Sequence, residues 1–497
     1  MSYAGVLLLA GLVTASSTVQ FPDNANHIFN AIHSSMRQWG SSLHHNGMSF
    51  FLASVPAGTQ LYHGTHQRDR VNGTEWLAFE PEHAMVFATF GQGRGPPPGG
   101  PDGPGSDGPR GSAFQKLLGL IGETEDAPDT GGWLHTYAAA KDLRLVYIDG
   151  MSAAKTSNGT LDSQDRILLR DALDDGNGNP MRNEKRRAET VCRMAREEWE
   201  DRIDGIILCD FARDLDLLHV VRVKLEGNGP GAGPGREPDR GKKKGKGPGG
   251  QPGRNQWVKA IAARYDGIGG RRVALNYDHF VTAYTYGLDL FASAEGGRSL
   301  PRLQHLSSAD LDPIRMDLHR LIMSHDTNEP SFNWQAVTDM VIERYAHELR
   351  YLASRELSTT EQLHAELEIT LGPFIDYSDR NTTLEADRCS AQFLSARSPA
   401  KGVAAQAVRS IARTICSTLL EAWRQTDHGL AVKHINDLME YLSWTTWKEC
   451  SGCGDHEVCV VPIWPMGTVE DYEHPQCRDA NQPYGQGSRY WGRMRPR

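Results

Sequence analysis

The chain reads as an α+β protein: an N-terminal mixed α+β domain, then a mainly α-helical domain with a cysteine-rich tail. Three observations predict this. Short segments rich in Val, Ile, Tyr and Trp, interleaved with helical patterns, fill residues 55–225. Beyond residue 330, apolar residues recur at helical spacing. Between these regions lies a tract of 28 residues, 227–254, with 11 Gly and 5 Pro, too polar and flexible to bury a core. With 39% hydrophobic and 23% charged residues, the composition is that of an ordinary globular chain. The formal net charge of -9 argues against a nucleic-acid partner, which would call for a basic excess. No apolar run reaches the roughly 18 residues of a membrane span, and nothing in the sequence indicates an oligomer.

Taken in order, the chain opens on the apolar block AGVLLLAGLVTA at residues 4–15, closed by Ser16 and Ser17. Its length, position and small-residue exit are those of a secretory signal peptide, placed at 1–17. The α+β domain then spans 18–226, interrupted at 91–112 by an insert holding 9 Gly and 6 Pro in 22 positions. Strands are expected at Thr59–His63, Glu75–Phe79, Trp133–Tyr137, Leu143–Ile148, Gly205–Cys209 and Leu215–Val223. Pro81 with Glu82 marks a helix start after the second of these. Residues 182–200 form a charged amphipathic helix. The tract 227–254 is expected to be a disordered linker, solvated by Lys242–Lys246.

In the helical domain, 255–445, Trp334, Val337, Val341, Tyr345 and Leu349 share one face. Ser358-Thr-Thr-Glu361 reads as a capping box, and Ser398-Pro399 as a helix start. Ile435, Leu438, Met439 and Leu442 begin the last helix. The tail, 446–497, holds Cys450, Cys453, Cys459 and Cys477. Such spacing suits four thiolates on zinc in a reducing compartment and two disulfides in an oxidising one. Behind a signal peptide the disulfides are expected, with the pairing open. Three sequons, at Asn72, Asn158 and Asn381, are candidate glycosylation sites and point the same way.

The segment Leu61-Tyr62-His63-Gly64-Thr65 ends a strand on a histidine and a small-residue turn. A second strand carries Phe79, and a helix of the form E-x-A-x-x-F-A follows. This order resembles the ADP-ribosyltransferase fold, in particular its His-Gly-Thr branch. The resemblance implies NAD as substrate, gripped by His63, Gly64 and Thr65, with Phe79 stacked on nicotinamide. It also implies an acid on a late strand to stabilise the cationic centre left by departing nicotinamide. The usual Glu is missing there. Asp216 is the nearest substitute, one methylene shorter, and Asp210 the second.

A second resemblance covers nearly the whole chain. The phrases GTEWLAFEPEHAMVFA, GWLHTYAAAKDLRLVYIDGMSAAKTSNGTLDSQDRILL, ARYDGIGGRRVALNY and VCVVPIWPMGTVEDYEHPQC are similar to a family of filamentous-fungal secretory proteins. That likeness implies secretion and supplies no catalytic residue. Two functions are therefore expected: NAD-dependent ADP-ribosyl transfer or NAD hydrolysis, or a non-catalytic extracellular or cell-wall role.

Overall fold

The computed structural model describes residues 24–70, 76–89, 132–173, 184–208, 211–212, 217–225, 257–260, 272–292, 300–326, 331–394, 398–399, 401–481, 483–484 and 490–491. The expected signal peptide, the insert 91–112 and the linker 227–254 lie outside these residues. The chain is mixed α+β, with an N-terminal sheet region and a helical C-terminal half. It divides into two units. One comprises His27–Ala346, Leu394–Val408 and Trp444–Arg497; the other His347–Phe393, Arg409–Ser443 and Met1–Asn26.

The first unit is built on a six-stranded sheet in the order β3-β7-β6-β5-β1-β9. Its strands are β1 (Asn46–Val55), β3 (Trp76–Leu77), β5 (Leu143–Gly150), β6 (Gly205–Ile207), β7 (Phe211–Ala212) and β9 (Ala274–Thr282). All pairs are antiparallel except β5 with β6. That parallel pair requires a crossover, which includes the amphipathic helix α4 (Glu184–Glu197). Strand β1 lies between β5 and β9 and is buried along nearly its whole length, with Met48, Phe50, Phe51, Leu52, Ala53 and Val55 in the core. A second sheet has three strands in the order β2-β4-β8: β2 (Gln60–Thr65), β4 (Trp133–Ala139) and β8 (Leu217–Lys224). Among the described residues a bridge between Tyr62 and Ala78 joins the two sheets.

Two domain boundaries differ from those read in the sequence. Residues 255–445 do not form one helical domain, because β9 pairs with β1 at the edge of the first sheet. Helix α5 (Ser308–Met323) belongs to that same unit. The tail 446–497 is not separate either. Val461, Ile463, Tyr490 and Trp491 pack with Trp39, Leu43, Met151 and Ala154 in one apolar cluster.

The tail is stapled by disulfides Cys450–Cys459 and Cys453–Cys477, as expected for an oxidising compartment. Strands β10 (Glu457–Val460) and β11 (Gln476–Asp479) set Cys459 directly opposite Cys477. Each nevertheless bonds to a cysteine upstream of the hairpin. In the second unit, helices α8 (Thr382–Ala391) and α9 (Val403–Arg424) are joined by a third disulfide, Cys389–Cys416. Helix α7 (Thr360–Leu371) opens on a capping box made by Thr359 and Gln362. That is one residue later than the Ser358/Glu361 pair suggested. Helix α9 starts at Val403, four residues past Pro399.

Where β5 ends, Asp149 is buried. Its Oδ1 accepts from the Ser49 backbone N–H at 2.9 Å. Burial raises its pKa to about 7. Nearby, the ring of His27 stacks on Tyr284 and packs against Phe291, with centroids 5.0 and 4.7 Å apart. Burial lowers the His27 pKa to about 4. The folded state thus holds the Asp149 proton more tightly than the unfolded chain does. Its contribution is intact below pH 4 and declines as pH rises towards about 7. Asp149→Asn keeps an acceptor for Ser49 and removes the charge. It should raise stability by about 2–4 kcal/mol at pH 8 and leave it nearly unchanged at pH 4. Calorimetric melts at the two pH values test this; equal shifts at both would refute a raised Asp149.

Candidate functional site

The residues singled out in the sequence fall on and around the three-stranded sheet. Strand β2 pairs with β4 in the register His63 to His135, Gly64 to Leu134 and Thr65 to Trp133. Strand β4 pairs with β8, setting His135 opposite Arg222 and Tyr137 opposite His219, with a bulge between these two pairs. Side chains alternate between faces of a strand. Leu61, His63 and Thr65 therefore share a face with Trp133, His135 and Tyr137. The bulge brings His219 onto the same side.

The segment after β2 crosses this face. It turns where Thr65 Oγ1 accepts from the Gln67 backbone N–H at 3.2 Å. The carbonyl of Gln67 then accepts from His135 Nε2 at 3.1 Å. The carbonyl of Arg68 accepts from Arg222 Nη1 at 2.8 Å, and Arg70 donates to the carbonyl of Leu217 at 3.0 Å. His135 is buried beneath this strap and His219 is exposed beside it.

These contacts fix the tautomers. A carbonyl only accepts, so His135 Nε2 carries the proton and Nδ1 of the neutral ring offers a lone pair. That Nδ1 lies 3.3 Å from His219 Nε2. By the same logic His63 Nδ1 donates to the carbonyl of Trp76 at 2.8 Å. Burial lowers the His135 pKa, and the neighbouring His219, His63 and Arg222 lower it further. The Arg222 guanidinium and the Lys224 ammonium both lie over the Trp133 ring, at 5.3 and 5.4 Å.

The other expected NAD contacts do different work here. A Cβ on Gly64 would stand 1.8 Å from the carbonyl oxygen of Ala84 in helix α3 (Pro81–Thr89), so the open side of this glycine is filled by that helix. Gly132, just before β4, meets Ala88 in the same way at 2.2 Å. Thr65 is buried and holds the turn to Gln67. Phe79 is 1% exposed, and the Arg272 guanidinium lies over its ring at 5.6 Å while donating to its carbonyl at 3.2 Å. The Tyr62–Ala78 bridge sets the segments carrying His63 and Phe79 side by side. Asp210 and Asp216, the expected acids, lie outside the described residues, as does Asn72.

The sequence reading passed over His135 and His219, although both lie in strands it recognised. The available signal was a histidine in the middle of each of two strands, and only the register brings them together. The sulfurs of Cys450, Cys453 and Cys459 lie within 4.8 Å of one another. Their bonding as disulfides removes the thiolates that a metal would need.

The family described as the YPL277C N-terminal domain matches residues 19–127 and 121–228, a span that includes all three histidines. The uncharacterised protein YOR389W of Saccharomyces cerevisiae (strain ATCC 204508 / S288c) is 32% identical over 225 residues, which cover 39% of this chain and 32% of its own length. The uncharacterised protein YPL277C of the same yeast is 33% identical over 226 residues, covering 39% of this chain and 42% of its own. The chain thus spans about a third to two-fifths of the length of these curated relatives. No solved structure matches. The N-terminal part is therefore similar to uncharacterised fungal proteins.

The tight seat of α3 gives a direct test. Gly64→Ala places a methyl group against helix backbone, which has no side-chain rotamer with which to yield. The substitution should cost more than about 3 kcal/mol, in the range of the severest core changes. A thermal melt within a degree or two of the wild type would show that α3 does not sit there.

Proposed function

We propose that the protein is an extracellular, N-glycosylated fungal protein that acts by binding and not by turnover. One observation carries the non-catalytic part. The backbone that would have to open onto nicotinamide, at Gly64, is packed against the carbonyl of Ala84. A ligand cannot share that space with a helix. The commitment of His63 to Trp76 and of Phe79 to Arg272 supports the same reading. It displaces the alternative in which His63, Gly64, Thr65 and Phe79 hold NAD and Asp216, or Asp210, supplies the acid.

Extracellular placement is supported by three disulfides, which persist in oxidising compartments and are rare in the cytosol. Among the described residues no helix is long and apolar enough to cross a membrane. Two sequons can be compared. Asn381 is exposed and caps α8 with its Oδ1, which accepts from the N–H groups of Thr383 and Leu384, both at 3.1 Å. Its amide nitrogen, the atom that a glycan takes, is not the capping atom. Asn158 is half-buried, and its amide nitrogen reaches the carbonyl of Tyr490 at 3.5 Å.

Titration calorimetry with millimolar NAD should give no binding heat on the folded, glycosylated protein. Measurable nicotinamide release, abolished by Asp216→Ala, would overturn the non-catalytic reading. Peptide mapping of the secreted protein should find a glycan on Asn381 and none on Asn158. A glycan on Asn158 would contradict its packing against Tyr490.

A further inference from the structure

We propose that His135 and His219 form a binding site for a divalent transition-metal ion of the zinc class. The geometry carries this. Two metal–nitrogen bonds of about 2.05 Å at a tetrahedral angle set the two nitrogens about 3.3 Å apart. The observed separation of His135 Nδ1 and His219 Nε2 is 3.3 Å. The two rings are thus spaced as ligands of one ion.

The second shell fits as well. A metal-bound imidazole generally donates its other N–H to a carbonyl or carboxylate, which fixes the ring. His135 does this to the carbonyl of Gln67 at 3.1 Å. Its Nδ1, which accepts from His219 in the ion-free protein, is the nitrogen the ion would take. His63, directly opposite His135 on β2, is held in the corresponding way by the carbonyl of Trp76.

Binding requires one rearrangement. In the hydrogen-bonded pair, His219 Nε2 donates to His135 Nδ1. On coordination the proton of neutral His219 moves to its own Nδ1, and Nε2 becomes a ligand with no net proton released. His219 is exposed on an edge strand, so its ring can pivot to admit the ion. The nearest cation, Arg222, is drawn off by the carbonyl of Arg68, by Asp69 at 3.9 Å and by the Trp133 ring. The donor set is all imidazole nitrogen. It selects against calcium and magnesium, which take oxygen ligands, and suits zinc and its neighbours.

The test uses the whole secreted protein with its disulfides intact. Zinc chloride should bind with a stoichiometry of one by titration calorimetry, and one equivalent should protect His219 from carbethoxylation by diethyl pyrocarbonate. His219→Ala, at an exposed position, should weaken binding at least tenfold. His279→Ala, an exposed histidine on β9, should leave it unchanged. Absence of binding at 1 mM zinc (roughly the weakest affinity that matters) would overturn the proposal. So would equal affinity in His219→Ala, or modification of His219 undiminished by zinc.

Discussion

Two missing side chains set how closely helix α3 sits on the three-stranded sheet. The carbonyl oxygens of Ala84 and Ala88 lie one turn apart on a single face of α3. They meet the places where Gly64 and Gly132 would carry Cβ atoms, at 1.8 and 2.2 Å. Any larger residue at either place would lift the helix from the sheet. With the helix seated, one face of β2 and β4 is closed by backbone. The opposite face is left for Thr65, His63 and His135 and for the strap that covers them. The same seating places Glu80 and Phe79, at the head of α3, under Arg272. The glycine of the motif expected to grip a ligand is also the place where α3 packs against β2.

Much of this architecture was legible. Strands β2, β4, β5, β6 and β8 and helix α4 all fall within a few residues of where their patterns place them. Strand β1 was missed for a physical reason. A strand buried on both faces has no alternation, and Met48 to Val55 is apolar on both faces apart from Ser49 and Ser54. Strand β9 was missed because it follows the Gly/Pro/Lys tract, which suggested that the first fold had ended. A tract of that composition separates segments of chain, not domains, and β9 returns to pair with β1. The capping box at Thr359 shows the finer limit. Neighbouring Ser, Thr, Glu and Gln residues offer two overlapping boxes, and the turn before the helix decides between them.

The histidine row was less legible than the fold. His63 draws attention because Gly64 and Thr65 follow it, yet His135 and His219 carry no motif. They are distant from each other in sequence and become neighbours only through the β4–β8 register and its bulge. No local pattern encodes that bulge. The cysteine tail illustrates the same principle. The spacing gave the number of bridges, while the pairing depended on where the chain at Cys450 and Cys453 lies against the β10–β11 hairpin.

The two sheets treat their ionisable groups in opposite ways, and this bears on where chemistry can occur. Asp149, in the six-stranded sheet, is buried and His27, on the helix Ala25–Ser34, is half-buried, and desolvation drives each towards its neutral form. In the three-stranded sheet burial also keeps His135 neutral, but its lone pair points to His219 on an exposed edge strand. Neutrality there does not merely relieve a desolvation cost. It leaves a nitrogen donor one ring away from solvent, where an ion can reach it. The same physical effect thus only raises the cost of charge at Asp149, while at His135 it preserves a nitrogen donor.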